Sequence, residues 1–359
     1  MSKAAELAAL IGSQTALSNR NLIINGAMQV YQRGSQAGVR NTYAVDRFKL
    51  LGSGSQLFTY SQSTTVPSGE GFSYSAKLDV TTADTSVAAG DYQILRYLFE
   101  GQDLQHLKYG TSNAESLTLQ FWVRSPKTGT HIVELGHTDD SSFNSQSFTI
   151  ASADTWQKVT LTFDGYQTTS ITNDNTDGFR ITWWLMAGSD YSGGTLSSNT
   201  WQSTTANRAV GQVNVADSTS NEFYITGVQL EVGEQATPFE HKSFDDELYR
   251  CMRYFEGSTY SNGRGQEGHI WSQKNDSATR AFPYMNGEYR VVKRAIPTVT
   301  VESSQDGTAN EISGYSSGTN YTVSAVSNPQ KAYVCMYFTT SDTLPAQSVV
   351  GYYQADAEL

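Results

Sequence analysis

Along most of the chain apolar and polar residues alternate with period two, the pattern of strands that bury one face. In Ser116–Ser125, Leu117, Leu119, Phe121 and Val123 face one way, while Thr118, Gln120, Trp122 and Arg124 face the other. Val159, Leu161 and Phe163 alternate likewise. Between Phe179 and Met186, Phe179, Ile181, Trp183 and Leu185 share one face; Arg180, Thr182, Trp184 and Met186 take the reverse. Polar turns between such runs predict a β-sandwich or jelly roll over 21–242. In Glu222–Val232 the apolar set changes parity around Gly227, which predicts a bulge or bend. Strands are predicted again at Arg290–Lys293, Pro297–Glu302, Lys331–Thr339 and Val349–Asp356, within a smaller C-terminal β domain over 257–359. No fixed repeat period is visible, which argues against solenoids and propellers.

Two segments read as helices. Ala4, Leu7, Ala8 and Ile11 recur at helical spacing over 3–11. A helix this short is marginal in water, so it needs identical helices or a larger assembly to pack on. Segment 12–20 is a polar linker, and 1–20 as a whole is expected to be an attachment segment. The second helix is predicted over 243–256. Ser243 and Asp246 make its start, Phe244, Leu248, Cys251, Met252 and Phe255 its apolar stripe, and Gly257 its end. The expected fold class is therefore all-β, a jelly-roll sandwich plus a smaller β domain, with short N-terminal and linking helices.

Composition sharpens this picture. Only 16% of the 359 residues are charged, yet aromatics reach 12%, with 21 Tyr and 15 Phe; that aromatic content separates the chain from disordered sequences. The net charge is −11, from 24 basic and 35 acidic residues, and the short cluster Arg290–Arg294 does not offset it. Nucleic-acid binding is not expected. Cys251 and Cys335 are too few for a disulfide framework. No secretory signal is read at the N-terminus and no apolar run suits a membrane span, so membrane insertion is not expected.

Candidate chemistry is sparse. His106, His131, His137, His241 and His269 show no metal-ligand spacing, and neither a Cys-x-x-Cys nor a Gly-x-Ser-x-Gly motif occurs. Asn173–Gly178 is superficially like a calcium loop, but position twelve in that register is Trp184 where a bidentate Glu is needed. No metal and no cofactor are expected. Carboxylate pairs could hydrolyse a glycan, but nothing marks one pair out, and no enzymatic activity is expected. Trp122 and Trp184 carry more information. They stand on the faces opposite the apolar sets, beside Gln120, Arg124, Arg180 and Thr182. Indole rings flanked by amides and guanidinium groups suit a sugar, whose ring faces stack while its hydroxyls bond to polar neighbours. A neutral glycan is expected, because stacking needs no charge. The same composition suits a face packed on a second sheet or a neighbouring subunit, and both readings stay open. If the indoles are packed away, the receptor contact falls to the C-terminal domain around Trp271 and its Tyr-rich turns.

Two further segments carry a resemblance. Asn21-Leu22-Ile23-Ile24-Asn25-Gly26-Ala27-Met28-Gln29-Val30-Tyr31-Gln32-Arg33-Gly34, followed by Asp46-Arg47-Phe48, resembles the opening of a domain of tailed-bacteriophage tail-fibre and receptor-binding proteins. Gly227-Val228-Gln229-Leu230-Glu231-Val232-Gly233, then Ala236-Thr237-Pro238-Phe239-Glu240 and Cys251-Met252-Arg253-Tyr254, resembles that domain's end and the helix after it. Ala355-Asp356-Ala357-Glu358-Leu359 also looks like the end of such proteins. The first segment is similar, too, to the start of jelly-roll carbohydrate-binding modules, which often hold a structural calcium through acidic residues of their last strand. In the last strand here, Tyr224–Leu230, the first acidic residue to follow is Glu231. The resemblance implies a virion fibre subunit, assembled in the host cytoplasm. It would be a homotrimer attached to a virion tail or head protein through residues 1–20. Its task would be non-covalent binding of a host-surface receptor, a glycan. A structural head or tail decoration or adaptor protein is one alternative, and a capsule polysaccharide-degrading enzyme is another.

Overall fold

The computed structural model describes residues 20–257, 270–274, 280–283, 289–314, 318–327, 330–331, 337–340 and 349–359, with no side chains described at 270–274, 280–283, 325–327, 337–340 and 349–350. The predicted helix over 3–11, His269 and Cys335 lie outside the described residues. The chain divides into two compact units. One comprises Ser35–Ser243 with the described residues up to Gln29; the other comprises Val30–Gly34 and the described residues of Phe244–Leu359. Among the described residues no helix is long and apolar enough to cross a membrane.

The first unit is a sandwich of two antiparallel sheets, as the alternation predicts. Its six-stranded sheet runs in the order β1 (Gln36–Val39), β4 (Leu57–Ser63), β5 (Ser75–Thr82), β13 (Glu222–Val232), β7 (Leu117–Arg124), β10 (Gln157–Phe163). The seven-stranded sheet runs β12 (Trp201–Gln202), β9 (Ser142–Ile150), β8 (Gly129–His137), β11 (Asp177–Ala187), β6 (Tyr92–Glu100), β3 (Phe48–Ser53), β2 (Thr42–Tyr43). Each strand sends alternate side chains inward, so the core forms where the two apolar faces meet. There Phe121 of β7 meets Phe148 and Trp183 of the opposite sheet edge-on, at 5.3 and 5.8 Å between ring centroids. Trp183 in turn lies 6.2 Å from Phe48. The Tyr60 hydroxyl crosses from β4 to donate to the Phe48 carbonyl at 3.1 Å.

The two segments that carry the sequence resemblance meet in space. Asn21 Oδ1 accepts from the backbone N–H groups of Ile23 and Leu230, at 3.0 and 3.1 Å, and its Nδ2 donates to the Val228 carbonyl at 3.1 Å. The Leu22 N–H donates to Leu230 and the Val228 N–H to Gly26, so the chain start is stitched to β13. Arg47 is buried and donates to the Leu98 carbonyl at 2.7 Å. Asn25 donates to the Asp46 carbonyl at 3.0 Å. These residues close the sandwich. The predicted irregularity at Gly227 is present: the β13–β7 register shifts between Thr226 and Gln229, and Gly227 has φ +62°. Any Cβ there would sit 2.6 Å from Phe72 Cζ and 3.1 Å from Trp122 Cδ1. Only glycine meets both the backbone and the space requirement.

In the second unit the predicted helix is shorter than its apolar stripe suggests. It spans Phe244–Met252, and Phe255 belongs instead to strand β14 (Phe255–Gly257), paired with β21 (Val349–Asp356). The buried side is formed by Glu247, Cys251 and Met252, while Phe244 is exposed. Strands β15 (Ile270–Lys274), β16 (Arg280–Pro283), β18 (Glu311–Gly314), β19 (Asn320–Ser327) and β20 (Tyr337–Thr340) complete a ring of antiparallel pairings with β21. A further strand, β17 (Thr298–Ser303), pairs along β21. Such a ring leaves no open edge among its members. The core gathers Tyr289, Val299, Val301, Ile312, Val323 and Ala355. The strand predicted at Arg290–Lys293 does not form. Lys293 is buried there and donates to Glu256 Oε2 at 2.6 Å and to the Met252 carbonyl, while the Arg290 N–H donates to Glu256 Oε1 at 3.3 Å. The segment follows its buried cation, not a ladder.

Candidate functional site

The pairings settle which of the sequence-nominated residues can act together. Trp122, Gln120 and Arg124 stand on β7, on the outer face of the six-stranded sheet. Trp184 and Arg180 stand on β11, on the outer face of the seven-stranded sheet. The two indoles therefore share no face and cannot make one stacking platform. Alternation shows that a side chain points away from its own sheet's apolar set; it does not show which sheet the strand joins. The strand of Trp271 is described, but its side chain lies outside the described residues.

Gln120 is already employed in the fold. Its amide donates to the Thr237 carbonyl at 2.6 Å, while Thr118 donates to the Gly233 carbonyl at 2.7 Å. Glu231 accepts from both the N–H and the hydroxyl of Thr237. Residues 233–238 thus fold back across that end of the sheet. With its carboxylate committed to Thr237, Glu231 does not fit a calcium ligand of the last strand. Among the described residues no group of three or more His, Cys, Asp or Glu is placed to hold a metal. Asp174 accepts from the N–H and hydroxyl of Thr176, at 2.9 and 2.7 Å, making Asn173–Gly178 a self-bonded turn that runs into the start of β11. Trp122 remains half-buried at the bulge, and Arg124 lies over the Tyr224 ring at 5.0 Å with its Nε donating to the Asp154 carbonyl.

The outer face of the seven-stranded sheet is different. Reading across the strands, Ser145 stands opposite Glu134, Glu134 opposite Thr182, Thr182 opposite Arg96, and Arg96 opposite Lys49. Five polar side chains thus cross five strands in one row, roughly 20 Å long at the usual strand spacing. On one side runs an apolar row through Trp184, Ile94 and Leu51, with Ile132 packed beside it. On the other run Phe143, Gly136, Arg180 and Leu98. Arg180 lies across Gly136 so closely that a Cβ there would be 2.7 Å from its Nε.

Trp184 is not a free stacking surface. It is buried among Ile94, Ile132, Ala209, Tyr92, Tyr191 and Leu196, with Tyr191 at 5.4 Å between ring centroids. Arg208 covers it at 5.2 Å, covers Phe143 at the same distance, and gives a two-pronged ion pair to fully buried Glu134, at 2.8 and 2.5 Å. Arg208 and its segment were not legible as site residues; they reach the face through a connection between strands. Burial, and next the neighbouring Arg180, bring the Arg96 guanidinium down to about 10. Several polar atoms of this face are buried without a partner: Arg96 Nε, Arg180 Nε, Trp184 Nε1, Gln202 Nε2, Thr182 Oγ1 and Ser145 Oγ. Gln202 belongs here because it stands opposite Phe143 on the edge strand.

No protein-family model matches the chain, and no curated protein matches it. Among solved structures, the chain is similar over 59% of its length to the enzymatically active domain of a tailspike protein of bacteriophage CBA120, at 13% identity and a TM-score of 0.33; it spans only 21% of that chain. A family 11 carbohydrate-binding module of a Clostridium thermocellum cellulosomal cellulase is similar over 57% of this chain and 97% of its own, at 11% identity and a TM-score of 0.27. A family 61 carbohydrate-binding module bound to β-1,4-galactotriose is similar over 60% of this chain and 99% of its own, at 10% identity and a TM-score of 0.30. Likenesses this weak leave the fold resting on its own strand pairings, which make it an all-β antiparallel sandwich with a second β unit.

Proposed function

We propose that this chain is a non-enzymatic saccharide-binding protein of a phage particle, and that it binds through the outer face of the seven-stranded sheet. One observation carries the reading: two fully buried hydroxyls and two guanidinium nitrogens lie unpartnered on a single face, along and beside one continuous polar row. A buried polar group without a partner costs about 1–3 kcal/mol. Several on one face are better explained by a ligand rich in hydrogen-bonding groups than by separate defects. Both oxygens of Glu134 are engaged by Arg208, which favours binding over hydrolysis by that carboxylate. The virion setting rests on the residues at both ends of 21–256 that resemble tail-fibre proteins. In that setting residues 1–20 attach the chain, and a homotrimer multiplies weak contacts through avidity. The test is an array of bacterial surface saccharides probed with the intact chain. Binding to a defined glycan that is lost in Thr182→Val, with the melting temperature held or raised, is expected. An array that stays blank at high protein concentration removes the proposal.

A further inference from the structure

The unpartnered atoms on this face are not a random set of hydrogen-bonding groups. Arg96 Nε, Arg180 Nε, Trp184 Nε1 and Gln202 Nε2 are donors only, and the hydroxyls of Thr182 and Ser145 donate or accept. The unpartnered atoms among the described residues that can only accept, Gln56 Oε1, Gln120 Oε1 and Asn144 Oδ1, belong elsewhere. Gln56 bonds Gln93 beneath the sheet, Gln120 is on the other sheet, and Asn144 alternates to the inward side of β9. The face is therefore short of acceptors and oversupplied with N–H groups.

Charge points the same way. Arg208 and Glu134 neutralise one another, and at one end of the face Asp177 stands opposite Glu100. At the middle, Arg96 stands opposite Thr182, two residues along β11 from Arg180, and its other neighbour in the row is Lys49. Arg96 and Arg180 are half-buried as whole residues, with their Nε atoms buried, in a chain whose net charge is −11. Asp177 acts on both guanidinium groups through space and Glu134 on that of Arg96, yet neither Nε has a hydrogen-bond partner, so an acceptor placed between them would meet two charged donors at once.

Resting on the saccharide reading above, we infer that this face selects an acidic saccharide, whose anionic acceptor-only group is held between Arg96 and Arg180 while its hydroxyls meet the polar row. This reverses the neutral ligand expected from stacking. A sugar hydroxyl brings one donor for each group it satisfies, whereas a carboxylate or phosphate brings acceptors alone.

The test uses the intact chain and three probes of equal length in titration calorimetry: an oligogalacturonate, its methyl ester, and a phosphorylated neutral oligosaccharide. Binding of the acid at least tenfold tighter than the ester is expected, weakening as sodium chloride rises from about 50 to about 500 mM. A phosphate probe that binds as tightly as the acid, or tighter, also supports the inference and names the anion. In Arg180→Gln the preference for acid over ester should fall towards unity, and Arg180→Lys should retain part of it. Arg96→Gln is the second variant if Arg180→Gln does not fold. Equal affinity for acid and ester overturns the acidic preference but leaves the saccharide-binding face standing. Failure of all three probes, together with a blank array, overturns both.

Discussion

At the scale of single residues, burial separates side chains that the sequence presents as alike. Trp184 and Trp122 look equivalent on alternating strands, but Trp184 is packed under Tyr191, Leu196 and Arg208. Trp184→Ala is expected to lower the unfolding free energy by about 3–5 kcal/mol, the range for truncating a buried indole, in urea denaturation. Trp122→Ala, at a half-buried position, should cost clearly less. An unchanged midpoint for Trp184→Ala would show that its ring is not packed. His131 makes a pH prediction. Its Nε2–H donates to the Lys127 carbonyl at 3.1 Å, Gln212 Nε2 approaches Nδ1 at 3.5 Å, and Phe148 stacks at 5.5 Å, an arrangement that suits the neutral ring. Burial holds it down at about 4, against an unfolded value near 6.5. The unfolded chain therefore takes up the proton first. The contribution is fully present above about 6.5, is lost as pH falls towards about 4, and amounts to at most about 3 kcal/mol. In His131→Gln the difference in stability between pH 7 and pH 4 should shrink; an unchanged slope would place the titration elsewhere.

At the scale of elements, the informative features are those that depart from regular geometry. The bulge in β13 rests on Gly227, whose φ is +62° and whose missing side chain leaves room for Phe72 and Trp122. Gly227→Ala should cost about 1–3 kcal/mol from backbone strain, with further loss from displaced rings. Near-ultraviolet circular dichroism should change with it, because two aromatics move. In the second unit the helix, β14 and the segment after Tyr289 are tied by one buried ion pair. Lys293 reaches Glu256, which also accepts from the Tyr353 hydroxyl at 3.0 Å. Burial lowers the Lys293 ammonium, with Glu256 pulling it back up. Lys293→Met alone strands a buried carboxylate and should cost about 3–5 kcal/mol. Adding Glu256→Gln should recover most of that, since it removes the charge. If the double variant is as unstable as the single one, the pair is not the source of the loss.

At the scale of the whole molecule, two β units share one chain, and the second takes in Val30–Gly34 from within the first. The proposed trimer predicts a light-scattering mass of about three times 39.4 kDa for the intact chain. Deleting residues 2–12 should reduce that to the mass of one chain without altering the β signature in far-ultraviolet circular dichroism. An intact chain that runs as a monomer at micromolar concentration would dispose of the trimer.

Legible in the chain's own pattern were strands β7, β10, β11 and β13, the bulge at Gly227 and the helix start after Ser243, because each depends on neighbours a few residues apart. Strand β21 was legible to the residue, and the inward set of β7 is fully buried as its alternation requires. Partnership between strands came from the fold alone. Period-two alternation states that Trp122 and Trp184 point away from an apolar set, but the pairing of β7 with β13 and of β11 with β6 and β8 puts them on opposite sheets. The row Ser145, Glu134, Thr182, Arg96 and Lys49 draws one residue from each of five strands, from Lys49 to Thr182, so no local window contains it. Arg208, from a loop, completes that face because a buried carboxylate at Glu134 demanded a cation. Side-chain direction is set by the backbone's two-residue period. Which directions converge is set by long-range strand order, and the site depends on the second.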